Sequence, residues 1–230
     1  MTLTLTVSDE VRALAPGFTH VAVEADGLVN GPSTEGTSAL LDDAARRLAG
    51  RLEGRAPHED PHMAAWREVY TAFGSKPSRT RNSAEALAKR ALSDAGLPRI
   101  NVLVDIYNAI SVAHLIPVGG EDTDHIRGAM RLVRATGDED FVTVAGGAEV
   151  VEHPDAGEVV WRDDSGVTCR RWNWRQGPRT RLTEQSASAL FLLESLAPMP
   201  VADVEAAGTE LAELLQKFSP GARITVHAPE

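Results

Sequence analysis

The segment Cys169–Arg181, CRRWNWRQGPRTR, carries the side chains best suited to contact a polyanion. It holds five arginines, two tryptophans and no acid, in a chain with 23 Lys and Arg against 33 Asp and Glu. Arginine beside tryptophan is typical of a surface that binds phosphates and stacks on bases. The same pairs also form cation–π contacts on the surface of a sheet. Composition alone leaves both interpretations open.

A second basic segment, Gly74–Arg81 (GSKPSRTR), places Lys76, Arg79 and Arg81 among small residues. Such a segment between two helices is usually a solvated loop. It also has the composition of a loop that contacts phosphates, so both interpretations remain.

The stretch NVLVDIYNAISVAHL, residues 101–115, is apolar except for a few polar positions. On a helix, Asn101, Asp105, Asn108 and Ser111 form one stripe, whereas on a strand Asn108 faces away from the first two. We therefore predict a helix. The stripe either faces a cleft or bonds the neighbouring backbone, because a buried polar group needs a partner.

One motif matches a zinc-binding signature, but it does not predict a zinc site in this chain. The sequence HEDPH matches the H-E-x-x-H signature of zinc peptidases, which needs both histidines on one helical turn. Pro61 interrupts such a helix, so His58 precedes the helix and His62 lies within it. No P-loop, dinucleotide fingerprint or G-x-S-x-G elbow occurs, and we predict neither a metal nor another cofactor.

Composition narrows the class of protein. The net charge of −10 argues against general binding to nucleic acid, although a local basic surface is still allowed. Cys169 is the only cysteine, so no internal disulfide forms. The sequence has no signal-peptide pattern and no apolar run long enough for a membrane span. We expect a cytoplasmic protein with no membrane association and no obligate protein partner.

The order of predicted elements indicates an α+β fold, because helices come first, strands follow, and no βαβ rhythm occurs. We expect one domain over residues 1–230, with the motifs within about 60–200. The predicted elements are strands at 2–7 and 19–28, helices at 37–52, 61–73 and 82–96, a loop at 117–126, two strands around Gly137-Asp138, a hairpin turning at 163–166, a strand or short helix at 188–196 and a helix at 201–218. Strand alternation through residue 174 places Cys169, Arg171 and Asn173 on one face and Arg170, Trp172 and Trp174 on the other.

Three blocks of the chain together resemble a known family. They are WREVYTAFGSKPSRTRNSAEALAKRAL, LPRINVLVDIYNAISVAHLIPVGGEDTD and GEVVWRDDSGVTCRRWNWRQGPRTRLT. The chain resembles the B3/B4 domain over roughly residues 10–218. That domain is the editing module of the β subunit of bacterial phenylalanyl-tRNA synthetase and also occurs as a stand-alone protein. The third block looks like the stand-alone branch.

The resemblance implies a set of site residues. Asp105 and Asn108 look like the V-D-x-x-N block of the family, and Glu194 looks like the glutamate of its L-E-S segment. Gly119 stands where the synthetase has a histidine between a proline and an aspartate. The implied catalytic positions are Asn108, Gly119, Gly120 and Gln176. The implied substrate-binding positions are Asp105, Asp122, Asn173, Gly177 and Glu194.

The resemblance also implies a partner and an activity. The partner is aminoacyl-tRNA, and the implied tRNA contacts are Lys76, Arg79, Arg81, Arg170, Arg171, Trp172, Trp174, Arg175 and Arg179. The implied activity is deacylation in trans of a misacylated or non-canonical aminoacyl-tRNA. We expect a hydroxyl-bearing amino acid, either tyrosine-like or a threonine analogue such as fluorothreonine. A non-catalytic tRNA- or RNA-binding module and a small-molecule binder or hydrolase are the alternatives.

Overall fold

A computed structural model describes residues 3–229, and within them the chain forms six α-helices and eleven strands. Position 2 of the first predicted strand lies outside the described residues. The helices are α1 (Asp9–Leu14), α2 (Glu35–Leu52), α3 (Pro61–Ala72), α4 (Ser83–Ala91), α5 (Val102–His114) and α6 (Val201–Phe218). The strands are β1 (Leu5–Val7), β2 (Thr19–Asp26), β3 (Val118–Asp122), β4 (Met130–Arg134), β5 (Phe141–Ala145), β6 (Ala148–Glu152), β7 (Val159–Asp163), β8 (Gly166–Arg170), β9 (Arg175–Gln176), β10 (Ser188–Ser195) and β11 (Arg223–Val226).

The strands form three sheets, so the predicted α+β class is confirmed. A five-stranded sheet has the order β1-β4-β7-β8-β9, and a four-stranded sheet has the order β11-β2-β10-β3. Strands β5 and β6 form a separate hairpin. Only the pairing of β1 with β4 is parallel among the described strands.

Polar caps fix where the helices near the site begin. Asp60 accepts a hydrogen bond from the His62 backbone before α3, with Pro61 in the first helical position. Asn82 accepts from the Glu85 N–H before α4, and Asn101 accepts from the Val104 N–H before α5. The helix predicted from the polar stripe of 101–115 is therefore confirmed.

The predicted loop at 117–126 is wrong. Gly119 and Gly120 lie in β3, opposite Leu192 and Phe191 of β10. The pair of glycines suggested a turn, but pairing with a long buried strand overrides the low strand propensity of glycine.

The predicted strand alternation through residue 174 is also wrong. Strand β8 ends at Arg170, and Arg171 and Trp172 adopt positive φ angles of 47° and 66°. The chain turns there and returns as β9. Left-handed backbone at two successive residues other than glycine carries little sequence signal, so alternation could not foresee it.

Two large apolar clusters cover the faces of the four-stranded sheet. Leu190 and Leu192 of β10 pack toward α2, α3 and the five-stranded sheet. Phe191 and Leu193, on the other face of the same strand, pack toward α5 and α6. Helix α5 thus lies across one sheet while its polar stripe reaches the edge marked by β3.

The histidines of the HEDPH motif lie as the proline predicted. His58 is in a 3-10 turn (Pro57–Glu59), and His62 is buried in α3. The Nε2 atom of His62 accepts from Trp66 Nε1 at 3.0 Å and from the Leu196 N–H at 3.2 Å. Burial lowers the His62 pKa to about 4, so this imidazole is a neutral core group.

None of the helices between residues 3 and 229 combines the length and apolarity needed to cross a bilayer.

Candidate functional site

A cavity of about 340 Å³ lies between α4, α5, the β3 edge and the β7–β8 hairpin. It brings together seven residues that the sequence singled out: Asn108, Gly119, Trp172, Asn173, Trp174, Gln176 and Glu194. The other lining residues are Ser83, Ala86, Leu87, Pro98, Ile100, Val104, Tyr107, Val118, Glu121, Trp161, Cys169 and Leu192. The wall is therefore mostly apolar with a few polar groups, as in many small-ligand sites.

Glu194, near the end of β10, is held by three donors. The indole N–H groups of Trp161 and Trp172 donate to its Oε1 at 2.9 and 3.0 Å. Asn173 Nδ2 donates to Oε2 at 3.0 Å. Burial raises the Glu194 pKa to about 7, although these three hydrogen bonds favour the ionised form.

The orientation of Asn173 is fixed by a second contact. The hydroxyl of Tyr70, on α3, donates to Asn173 Oδ1 at 2.8 Å, so the amide nitrogen points at Glu194. Trp172 is fully buried and sits against Trp66 and Phe18. It contributes its indole N–H to the cavity and no surface for tRNA.

Asn108 differs from the rest of the polar stripe on α5. It is buried and lines the cavity, but its side-chain amide forms no hydrogen bond to any described residue. Asp105, by contrast, accepts from Thr37 Oγ1 and the Ile100 N–H, both at 2.9 Å. Ser111 donates to the Ile116 carbonyl. The stripe therefore serves the backbone at most positions and offers one free amide to a ligand.

The two glycines of β3 have opposite surroundings. A Cβ at Gly119 would meet nothing within 4 Å, and this residue lines the cavity. A Cβ at Gly120 would lie 2.8 Å from Leu182 Cδ1, inside the core. Gln176 Nε2 donates to the Gly120 carbonyl at 2.8 Å, which ties β9 to β3.

Three other predicted substrate-binding residues do not line the cavity. Asp105 holds the start of α5, as described above. Asp122 caps the 3-10 turn that follows β3 and accepts from the Ser186 hydroxyl. Gly177 packs against Phe141, where a Cβ would lie 3.3 Å from the ring.

The arginines of the Cys169–Arg181 segment are mostly paired with acids. Arg170 is buried and binds both oxygens of Glu158 at 3.0 and 2.8 Å. Arg171 also contacts Glu158, Arg175 pairs with Glu152, and Arg179 pairs with Asp163. Four of the five arginines in this segment therefore have a carboxylate partner, which explains how an acidic protein accommodates so many arginines here.

One aromatic of this segment reaches both solvent and cavity. Trp174 is half-buried and lines the cavity. The guanidinium groups of Arg171 and Arg175 each lie 4.8 Å from the centre of its ring. The arginine–tryptophan pairs predicted from the sequence therefore lie beside the part of the cavity wall that Trp174 forms.

Three exposed cations of the two basic segments lack any acid partner. Within residues 3–229, the side chains of Lys76, Arg79 and Arg181 form no ion pair and no hydrogen bond. Arg81, by contrast, pairs with Glu85 on α4. Lys76 and its neighbour Ser75 border an open groove beside α3.

Sequence reasoning missed Glu121, a buried acid in the cavity wall. Burial raises its pKa to about 7, while Thr180 and Gln176 beside it lower the pKa in part. Its Oε2 atom has no hydrogen-bond partner among the described residues. Alternation along a strand would have placed Glu121 on the same face as Gly119. The sequence instead predicted a loop for this segment, so Glu121 was not identified.

Comparisons with known proteins give a family and a distant structural likeness. No curated protein matches the chain. A solved N-terminal fragment of the phenylalanyl-tRNA synthetase β subunit from Pyrococcus horikoshii is similar at 13% identity, with a TM-score of 0.47. The match covers 97% of this chain and 50% of that one, so the chain spans about half the length of the fragment.

The family is identified by a match of the amino-acid sequence to a family model. The model of the B3/4 domain matches residues 65–219, which include every wall of the cavity. The extent of the domain beyond those residues stays a prediction. Because the match covers more than half of the chain, this protein belongs to the B3/4 domain family.

Proposed function

We propose that the protein is an aminoacyl-tRNA deacylase that acts in trans. Its substrate is the ester of a misacylated or non-canonical amino acid that carries a hydroxyl group, tyrosine-like or a threonine analogue such as fluorothreonine. The observation that carries the proposal is the cavity itself. Its wall contains the unpartnered Asn108 amide, the Glu194 carboxyl and Trp174, and Arg171 and Arg175 stack on that tryptophan.

The chemistry needs no side-chain nucleophile. Water adds to the ester carbonyl carbon, the bond to the ribose oxygen breaks, and that oxygen leaves with a proton. An ester is already activated, so placing the water and stabilising the oxyanion supply most of the catalysis. Asn108 is the group we assign to this task, because its amide faces the cavity without a protein partner.

We assign Gln176 to the support of Asn108, because both residues line the cavity. Its amide nitrogen is held by the Gly120 carbonyl, which fixes the side chain at the cavity wall. Gly119 leaves open space above β3, where the carbonyl and the attacking water fit. The ribose hydroxyl next to the ester can orient that water.

Glu194 is the group we assign to substrate selection. Its Oε1 already receives two indole N–H groups, whereas Oε2 receives only one donor from Asn173. A carboxylate oxygen accepts two hydrogen bonds, so Oε2 can take one more from a substrate hydroxyl. A substrate without that hydroxyl leaves the acceptor unpaired, which is an effective basis for rejection.

We assign the tRNA contact first to the cations that have no acid partner. Lys76, Arg79 and Arg181 are exposed and free to bind phosphates. Arg171 and Arg175 lie against Trp174 but must exchange a carboxylate for a phosphate, which weakens their contribution.

The second candidate is a module that binds tRNA or RNA without catalysis. The observation that favours it is Gly119, which supplies no side chain where the synthetase has a histidine. Binding of deacylated and acylated tRNA with equal affinity and no ester loss is its expected result.

The test of the first candidate is a panel of tRNAs charged with tyrosine, phenylalanine, threonine, fluorothreonine and alanine. We expect wild-type protein to release the hydroxyl-bearing acids at least about tenfold faster than their closest analogues without the hydroxyl. Asn108→Ala should abolish release, and Glu213→Ala, at an exposed position of α6, is the control. Ester loss no faster than in buffer for every member of the panel rules out a deacylase.

A further inference from the structure

Glu121 lines the cavity and has no part in the steps above. It is 5% exposed, and its Oε2 atom lacks a hydrogen-bond partner among residues 3–229. No cationic side chain of those residues forms an ion pair with it. The cation that most influences it, Arg179, already binds both oxygens of Asp163 at 2.7 and 2.8 Å.

The sheet register places Glu121 and Glu194 at opposite ends of the cavity floor. Glu121 lies opposite Leu190 on β10, and the Glu194 N–H donates to the Pro117 carbonyl. Four residues therefore separate the backbone positions of the two glutamates along the strands, which is roughly 13 Å. Gly119 provides the open stretch of floor between them.

The two carboxylates differ in what they lack. Glu194 accepts hydrogen bonds from neutral N–H donors, so a neutral hydroxyl can supply the one that is still missing. Glu121 has an empty acceptor and no cation, and a buried carboxylate in that state is strongly destabilised relative to its paired form. A ligand that carries its own positive charge removes that cost, whereas a neutral ligand does not.

We propose that Glu121 binds the α-ammonium group of the ligand and so restricts the cavity to amino acid derivatives with a free amine. For the ester substrate this rests on the proposed function, but the ammonium site itself does not. One elongated ligand can then reach both ends of the floor, with its ammonium at Glu121 and its hydroxyl at Glu194. Esters whose amine is acylated, as in peptidyl- or formylaminoacyl-tRNA, are excluded.

The experiment measures binding of small amides by calorimetry, without any ester. The probes are tyrosinamide, threoninamide and alaninamide, each paired with its N-acetyl derivative, in which an acetyl group replaces the positive charge at the amine. We expect at least one free amine to bind wild-type protein about tenfold or more tightly than its acetylated partner, because a hydrogen bond to a charged group contributes that much.

Glu121→Gln should bring that ratio to within about threefold while leaving the weak affinity for the acetylated probe unchanged. Glu213→Gln on α6 is the matched control and should keep the ratio. Equal affinities for the two members of every pair in wild-type protein, or no binding of any free amine, overturns the proposal without reference to how the variant folds. A retained ratio in folded Glu121→Gln overturns it too.

The two proposals fail in different ways. If the amine ratio is found but no charged tRNA loses its ester, the ammonium site stands and the deacylase does not. If esters are hydrolysed and N-acetylation of the aminoacyl-tRNA leaves the rate unchanged, the deacylase stands and Glu121 is not the ammonium site.

Discussion

At the scale of single residues, Asn108 and Asp105 separate function from stability on one helix face. Asn108→Ala removes an amide with no protein partner, so we expect at least about a 100-fold loss of deacylation, to near the rate in buffer, with little change in unfolding temperature. Asp105→Ala breaks the bonds to Thr37 and the Ile100 N–H, so we expect a loss of about 2–3 kcal/mol in stability.

Single-turnover rates and urea unfolding of both variants check this pair. A large stability loss for Asn108→Ala would mean that its amide has a structural partner. Wild-type stability of Asp105→Ala would mean that the two hydrogen bonds of Asp105 contribute little to the free energy of unfolding.

Glu121 also makes stability depend on pH. Its pKa rises from 4.5 to about 7 on folding, so the folded chain holds more protons than the unfolded one between these values. The stability contribution is therefore full below about pH 4.5 and is lost as pH rises through 7, by at most about 3 kcal/mol. Thr180 and Gln176 reduce this effect by favouring the ionised form.

Unfolding free energies of wild type and Glu121→Gln at pH 5.5 and pH 8 provide the check. We expect the variant to lose less stability than wild type over that interval, because glutamine does not titrate. The stability that the variant still loses over this interval comes from Glu194, because burial raises its pKa as it does that of Glu121. Parallel pH profiles for the two proteins would show that Glu121 does not titrate there.

At the scale of elements, the sequence predicted helices better than the strand that carries the site. The polar stripe of α5 is a local signal, and the helix predicted from it was confirmed. The caps at Asp60 and Asn82 that begin α3 and α4 are local signals as well. Strand β3 was missed because Gly119 and Gly120 look like a turn until β10 pairs with them. Glu121 was missed for the same reason, since its face is defined only once β3 is a strand.

The turn at Arg171–Trp172 shows a second limit of the sequence. Its positive φ angles rotate the Trp172 indole into the cavity, where the N–H donates to Glu194. The sequence could indicate that arginine and tryptophan lie near a site. It could not indicate which of them face the solvent, because the ion pairs with Glu152 and Glu158 come from distant strand register and loop geometry.

The two glycines of β3 offer a matched pair of substitutions. Gly120→Ala places a Cβ within 2.8–3.2 Å of Leu182, Tyr107 and Phe191, so we expect a loss of about 1–3 kcal/mol in stability. Gly119→Leu extends into open space, so we expect near-normal stability and at least about a tenfold loss of activity as the side chain occupies the substrate's volume. Thermal unfolding and deacylation rates measure both effects, and the opposite pattern would mean that β3 presents its other face to the ligand.

At the scale of the whole molecule, the net charge of −10 restricts favourable contact with a polyanion to local basic surfaces. We expect tRNA affinity to fall steeply with salt concentration. Replacing Lys76, Arg79 and Arg181 together by glutamate should weaken binding and reduce the slope of log affinity against log salt by about 2, because each phosphate contact contributes 0.7–0.9.

The control for this charge reversal is the double variant Arg12→Glu and Lys217→Glu, on α1 and α6. Filter binding at several salt concentrations gives both slopes. An unchanged slope in the triple variant, or an equal change in the control, would show that tRNA approaches another surface or that only net charge matters.

The central claim is that this cavity hydrolyses the ester of a hydroxyl-bearing aminoacyl-tRNA and that Asn108 is essential to the step. The most direct measurement is the single-turnover rate of ester loss from such a tRNA with protein in excess, for wild type and Asn108→Ala. We predict a rate well above that in buffer for wild type and a rate near that in buffer for folded Asn108→Ala. Equal rates for the two proteins, or a wild-type rate equal to that in buffer, would contradict the account.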